Sequence, residues 1–172
     1  MQFDHDNMTG VRLSVDLVNL RADGAWTEDR VAAALYQHEI RRIELDERAV
    51  RGLGEWTELL RAPFLTETVD DRCTAVNRLL AAGTAGIYLT AHDDWRPHLH
   101  FTPETESLLG RVKAVTAGGL AVFTTEAEGA RLGACAREGC PKVFADTSRG
   151  GRQSYCSPRC ANTDAVRRHR RA

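Results

Sequence analysis

The sequence predicts a mainly α-helical chain with a small β-hairpin, made of a helical N-terminal domain over residues 1–130 and a compact module over residues 131–172. Three observations carry that reading. Before residue 130, apolar residues recur at three- and four-residue spacing, as the buried stripe of a helix requires. After it, four of the five cysteines gather in two close pairs: Cys135 with Cys140, and Cys156 with Cys160. Charge divides at the same place. Residues 1–130 hold 13 Lys/Arg against 21 Asp/Glu, a balance of −8, and residues 131–172 hold 10 against 3, a balance of +7.

Residues 11–20 alternate and then turn helix-like, and read as a short apolar element whose Asp16 and Asn19 cap or make buried hydrogen bonds. Trp26 and Thr27 lead into a helix over residues 28–38, with Glu28 and Asp29 at the positive end of its dipole. Residues 46–60 put Ala49, Val50, Leu53, Trp56, Leu59 and Leu60 on one stripe, and Pro63 is expected to end that helix. The next helix, over residues 67–82, is expected to start from an N-cap at Thr66, stop at Gly83 and bury Val69, Cys73, Val76 and Leu80. Trp26 and Trp56 read as core residues. Residues 87–90 and 95–101 read as two strands around a turn at 91–94. Thr102 as N-cap and Pro103 as first residue then open a long helix to about Phe123, with Leu108, Leu109, Val112, Val115 and Leu120 inward. Gly118 and Gly119 are expected to bend or interrupt it. The small polar residues 126–129 mark the boundary.

A C-x4-C pair and a C-x3-C pair separated by fifteen residues can bring two short loops face to face, which four-thiolate coordination of one structural zinc ion needs. The alternative is a pair of disulfides. It requires an oxidising compartment, whereas the first ten residues lack the features of a secretory signal and no apolar run reaches the ~20 residues of a membrane span. A soluble, cytoplasmic location is expected. Val143 and Phe144 read as a strand, residues 147–152 as a Gly-rich turn and residues 153–155 as the return toward the metal. Ser157 and Pro158 supply the N-cap and first residue of a terminal helix. Knuckle, hairpin and ligand-bearing helix make a treble-clef-like zinc finger. Asp146 and Ser148 are expected to organise its turn, and Phe144 and Tyr155 to form its small core. Forty-two residues bury too little apolar surface to offset chain entropy, so the metal must supply stability.

The basic excess of the module points to a polyanionic partner. Arg159, Arg167, Arg170 and Arg171 share an arc of about 120° on the terminal helix, leaving Ala161, Ala165 and Val166 to pack on the other side. With Arg149 and Arg152 of the turn, and Arg168 beside them, they form a candidate face for DNA phosphates. A solvated basic tail is the plainer alternative. Phe144 and Tyr155, the finger's only aromatics, are claimed by its core, which favours duplex DNA over RNA. Asn162 can read adenine, but beside a zinc ligand it is expected to cap the structure. Four protein ligands leave a zinc ion no open position, and no nucleophile elbow, phosphate loop or H-E-x-x-H stretch occurs, so no enzyme is expected. His98 and His100 fall on one face of a strand. With His92 they offer a second metal site, with Trp95 the wall of an effector pocket, or simply satisfied structural histidines. A zinc-stabilised protein-interaction module, docked on a partner or on its own acidic body, is the competing function.

The stretch from Cys135 to the end, with Phe144, Asp146, Ser148, Tyr155-Cys156-Ser157 and Asn162, resembles the CGNR zinc finger. The body, with Asp16-Leu17-Val18-Asn19 and Leu99-His100-Phe101, resembles the ABATE domain that precedes that finger in bacterial proteins. Ala161 stands where the family usually has Gly, and Thr163 where it has Arg. The resemblance implies a stress-linked transcription regulator with a nucleic-acid-binding finger. The body is then expected to supply homodimerisation or small-molecule sensing.

Overall fold

The computed structural model describes residues 5–90, 98–101 and 106–171. In chain order it contains α1 (His5–Ala22), α2 (Glu28–Gln37), α3 (Glu47–Leu65), α4 (Val69–Gly83), β1 (Tyr88–Thr90), β2 (His98–His100), α5 (Leu108–Glu126), β3 (Leu132–Ala134), β4 (Val143–Ala145) and α6 (Pro158–Arg171). The fold is mainly helical, as the stripes predict, with two antiparallel hairpins: β1 with β2, as expected in the body, and β3 with β4 in the finger.

The segment expected to be a short apolar element is the central 18-residue helix α1. It packs against α2, α3, α5 and β4 at once, so Met8, Val11, Leu13, Ser14, Leu17 and Val18 are buried around most of its circumference. No single stripe survives such burial, and the helical period is blurred in the sequence. At the crossing with α5 the two backbones nearly touch. A Cβ on Gly10 would lie 2.1 Å from the Val115 carbonyl oxygen, and one on Gly119 2.8 Å from the Gly10 Cα. Gly118 and Gly119 therefore leave α5 continuous and serve close packing instead of a bend.

Three boundaries differ from expectation. Pro63 lies inside α3, which runs on to Leu65. The α4 cap is Thr68: its Oγ1 accepts from Asp71 N at 3.1 Å and donates to the Asp71 carboxylate at 2.7 Å, a reciprocal pair that Thr66 cannot make. Helix α5 starts at Leu108 with Ser107 as N-cap, five residues after Pro103. Trp95, the 91–94 turn, Thr102 and Pro103 lie outside the described residues.

The expected stripe of α4 is also turned. Arg72, Ala75, Val76 and Leu79 are buried, whereas Val69 is half exposed and Cys73 is exposed. Arg72 takes the inward position because the carbonyls at the end of α3 need donors from beyond the helix. Its Nε donates to Pro63 O at 3.1 Å and to Thr66 Oγ1 at 3.0 Å, one Nη to Thr66 O at 2.7 Å and the other to Gly129 O. A guanidinium thus satisfies a helix C-terminus and ties it to the turn after α5. Desolvation by burial lowers its pKa, yet it makes its bonds to carbonyls and a hydroxyl. Of the two tryptophans expected in the core, Trp56 is buried and donates through Nε1 to Thr116 Oγ1 at 3.0 Å, and Trp26 packs half-buried against the same cluster.

The hairpin of residues 131–172 joins the body directly. Leu132 and Val143 belong to one buried cluster with Leu17, Leu53, Trp56 and Leu60. Asn19 Oδ1 accepts from Val143 N at 2.9 Å while its Nδ2 donates to Val143 O at 3.1 Å. Arg61 donates to Pro141 O at 2.8 Å, and Lys142 Nζ lies 2.7 Å from Asp23 Oδ2. Asn19→Ala removes both bonds and strands the Val143 amide and carbonyl. It is expected to lower the unfolding free energy of the zinc-loaded protein by about 1–3 kcal/mol, seen as a lower urea midpoint. An unchanged midpoint would remove Asn19 from the joint.

Candidate metal centre

Cys135 follows β3, and its amide donates to Lys142 O at 2.8 Å, so the first cysteine pair sits in the connection between β3 and β4. The chain turns there through a bond from Cys140 N to Arg137 O at 3.0 Å. Gly139 has φ +73, a left-handed conformation that a side chain disfavours. The second pair opens α6: Ser157 Oγ accepts from Cys160 N at 3.3 Å, and Pro158 takes the first helical position as expected. The pairing differs from expectation in one respect. Residues 143–145 pair with 132–134, not with 153–155.

The loop between the pairs is organised by Asp146, whose side chain is buried. Its Oδ1 accepts from Ser148 N and its Oδ2 from Gln153 N, each at 2.8 Å, which confirms the expected turn role of Asp146 and Ser148. Burial opposes its charge, but the bonds from Ser148 and Gln153 and the nearby Arg131 outweigh it and hold the carboxyl below its usual range. Arg131 also donates to Ser148 O at 2.7 Å. Phe144 is buried and stacks over Gly133, where a Cβ would meet its ring at 2.9 Å. Tyr155 is half-buried, and its hydroxyl donates to Asp164 at 2.9 Å.

These elements bring Cys135, Cys140, Cys156 and Cys160 together, with all four sulfurs within 4.8 Å of one another. The sulfurs of Cys140 and Cys156 lie 3.8 Å apart, those of Cys140 and Cys160 3.8 Å, and those of Cys156 and Cys160 3.5 Å. Sulfurs about 2.3 Å from a tetrahedral zinc ion stand roughly 3.8 Å apart, so the donor set and its spacing fit the ion. A disulfide needs about 2.05 Å, and all five cysteines are free. The quartet forms a site for one structural zinc, which when bound cross-links the β3–β4 connection to the first turn of α6.

Without metal, the Ser157 hydroxyl and the Arg137 guanidinium favour the Cys160 thiolate and lower its pKa to about 6, whereas burial and the neighbouring thiols push Cys156 up to about 12. Arg137 Nε donates to Cys160 Sγ at 3.3 Å. A zinc ion with four thiolates carries a net charge of about −2, which Arg137 and Lys142 help to offset. Arg137 was not singled out in the sequence, although a cation inside the first cysteine pair was a readable signal. Asp164 was also missed. It lies four residues after Cys160, hence on the same helix face, and gathers Tyr155, Arg167 at 3.1 Å and Arg168 at 3.3 Å.

Of the predicted phosphate-binding residues, Arg149, Arg152, Arg159, Arg168 and Arg170 are exposed. Arg167 is half-buried and paired with Glu138 and Asp164. The side chain of Arg171 lies outside the described set, as does that of His98. The expected packing of Ala165 and Val166 is not found: Ala165 is exposed and Val166 is 52 % exposed, because the inward face of α6 consists of Cys160, Ala161, Asp164 and Arg167. Asn162 is exposed too, and its side chain caps nothing among the described residues. Ala161 sits in the first turn with its amide donating to Ser157 O at 3.2 Å, and Thr163 bonds back to Arg159 O at 2.8 Å, so both departures from the family pattern fit the helix. His100 meets Tyr88 across β1–β2, with ring centroids 5.4 Å apart. Cavities of about 280 and 160 Å³ open elsewhere, beside Lys113 and beside His38, and neither is lined by His100.

Fold and site together define a zinc-binding module seated on a helical body. The model of the CGNR zinc finger family matches residues 131–172, the segment that holds all four ligands. Comparison with curated proteins found no match to the chain. No described helix is long and apolar enough to cross a membrane.

Cys160→Ser is expected to abolish stoichiometric zinc, read by metal analysis, and to release α6. Because Leu132 and Val143 share the body's core, the melting temperature of the whole protein should fall with it. Retention of one zinc per chain would contradict the ligand assignment. Zinc affinity should also fall with acidification. At neutral pH the ion must displace thiol protons, that of Cys156 among them, and below about pH 6 it must displace that of Cys160 as well. Chelator competition across pH should therefore show a steeper loss below about 6; a pH-independent affinity would refute the thiolate cage.

Proposed function

We propose that the protein is a cytoplasmic, non-enzymatic transcription regulator that binds duplex DNA through its zinc-stapled C-terminal module. The observation that carries this reading is the way the module is seated. Its contacts with the acidic body run through Leu132, Pro141, Lys142 and Val143. Arg149, Arg152, Arg159 and Arg170 stay exposed, and none has a carboxylate partner among the described residues. Intramolecular docking was the circumstance that would have consumed the arginines. Here it consumes a different surface.

The charge split supports the same reading. A body with a balance of −8 is repelled by a phosphate backbone, so a polyanion is approached by the finger first. Phe144 is buried and Tyr155 is bonded to Asp164, so neither offers a stacking platform for single-stranded RNA. Within this reading the ABATE-like body supplies homodimerisation or effector sensing. A protein-interaction role draws on a separate observation: Leu89 and Leu99 face each other across β1–β2 and are 68 % and 49 % exposed.

The zinc-loaded full chain is expected to bind duplex DNA with a log–log salt slope of roughly −3 to −4, about −0.9 for each of the four free arginines. Replacing Arg149 and Arg152 together with Ala should flatten the slope by about 1.8. Absence of duplex binding at low salt would overturn the reading and leave protein interaction in its place.

A further inference from the structure

Helix α6 carries a row of side chains that the fold does not use. With about 100° and 1.5 Å per residue, Arg159, Asn162, Val166 and Arg170 fall within an arc of about 80°, roughly opposite the buried Asp164. Arg159, Asn162 and Arg170 are exposed, and none has a side-chain partner among the described residues. Val166 is 52 % exposed in the middle of the row. A single exposed aliphatic residue is ordinary. Its setting here is not, because the inward side of the helix carries Cys160 of the metal site and the polar Asp164 and Arg167, while the apolar side chain faces out between an amide and a guanidinium.

From this, and resting on the DNA-binding reading above, we infer that α6 enters the major groove and that Arg159, Asn162 and Val166 read base edges there. Each side chain has a matching partner: a guanidinium donates twice to guanine, a carboxamide pairs twice with adenine, and an apolar group packs on the thymine methyl. About 10 Å along the helix separates Arg159 from Val166, the length of three base-pair steps at about 3.4 Å. Arg170, a turn further on, borders the row, and together with the exposed Arg149 and Arg152 of the preceding loop it holds the phosphate backbone, which fixes register without reading sequence. The occupant is duplex DNA because the row is bordered by cations and contains no aromatic residue on which an unpaired base could stack.

The test is selection of randomised duplex DNA by the zinc-loaded full chain. Enriched sites should share a run of about three to four base pairs containing G, A and T. Asn162→Ala should lose the adenine preference by about 5- to 100-fold at one position. Replacing thymine by deoxyuridine, which removes only the methyl, should weaken binding of the natural chain and leave Val166→Ser unaffected. Arg170→Ala should weaken all sequences alike. Each variant should keep one zinc and an unchanged melting temperature, since the replaced side chains are exposed. Duplex binding with no base preference, or with a preference unchanged in Asn162→Ala and Val166→Ser, overturns this inference and leaves phosphate binding standing. Failure to bind any duplex, or stronger binding to single-stranded RNA, overturns both.

Discussion

The architecture of the last quarter of the chain depends on bringing four sulfurs to within 4.8 Å. Four thiolates at that distance repel one another, and in the metal-free site Ser157 and Arg137 ease Cys160 toward ionisation while burial and the neighbouring thiols hold Cys156 back. A divalent cation removes the conflict. Once it does, the turn at Gly139, the loop around Asp146 and the first turn of α6 all have fixed ends. Each of these segments is short and has little apolar surface of its own. Their order is inherited from the metal, in keeping with the rule that small metallo-domains fold when they are loaded.

What distinguishes this finger from a free-standing one is the seam with the body. Leu132 and Val143 enter the same cluster as the centre of the helical bundle, and Asn19, Arg61 and Asp23 hold the β3–β4 hairpin by polar contacts around them. The orientation of α6 relative to the body is thereby set by packing as well as by the ion. Metal binding and body stability are coupled through this surface, and anything that shifts the body, such as a ligand or a second copy, has a mechanical route to the basic helix.

Much of this was legible in the sequence, and the misses have physical causes. The cysteine spacing located the metal, since ligand chemistry constrains spacing directly. Amphipathic α2 and α3 were readable because each buries one side. Helix α1 was not, because a helix surrounded by neighbours loses the polar stripe that sets its period. In α4 the stripe was misplaced because Arg72 counts as polar in a sequence yet is drawn inward by the carbonyls of α3. Pro63 looked like a stop, but those same donated bonds serve the end of a helix that continues past it. Val166 was placed on the packing side from helical spacing and Asn162 was given a capping role, whereas Cys160, Ala161, Asp164 and Arg167 occupy the inward side of α6 and turn both to solvent.

The amide of Asn19 has one more effect. A short strand with an unpaired N–H and C=O is a template onto which a strand from another molecule can add. By filling both groups of Val143 from within the chain, Asn19 closes β4 to strand addition at that residue. The residue that fastens the two parts of the protein therefore also guards that position against edge-to-edge aggregation.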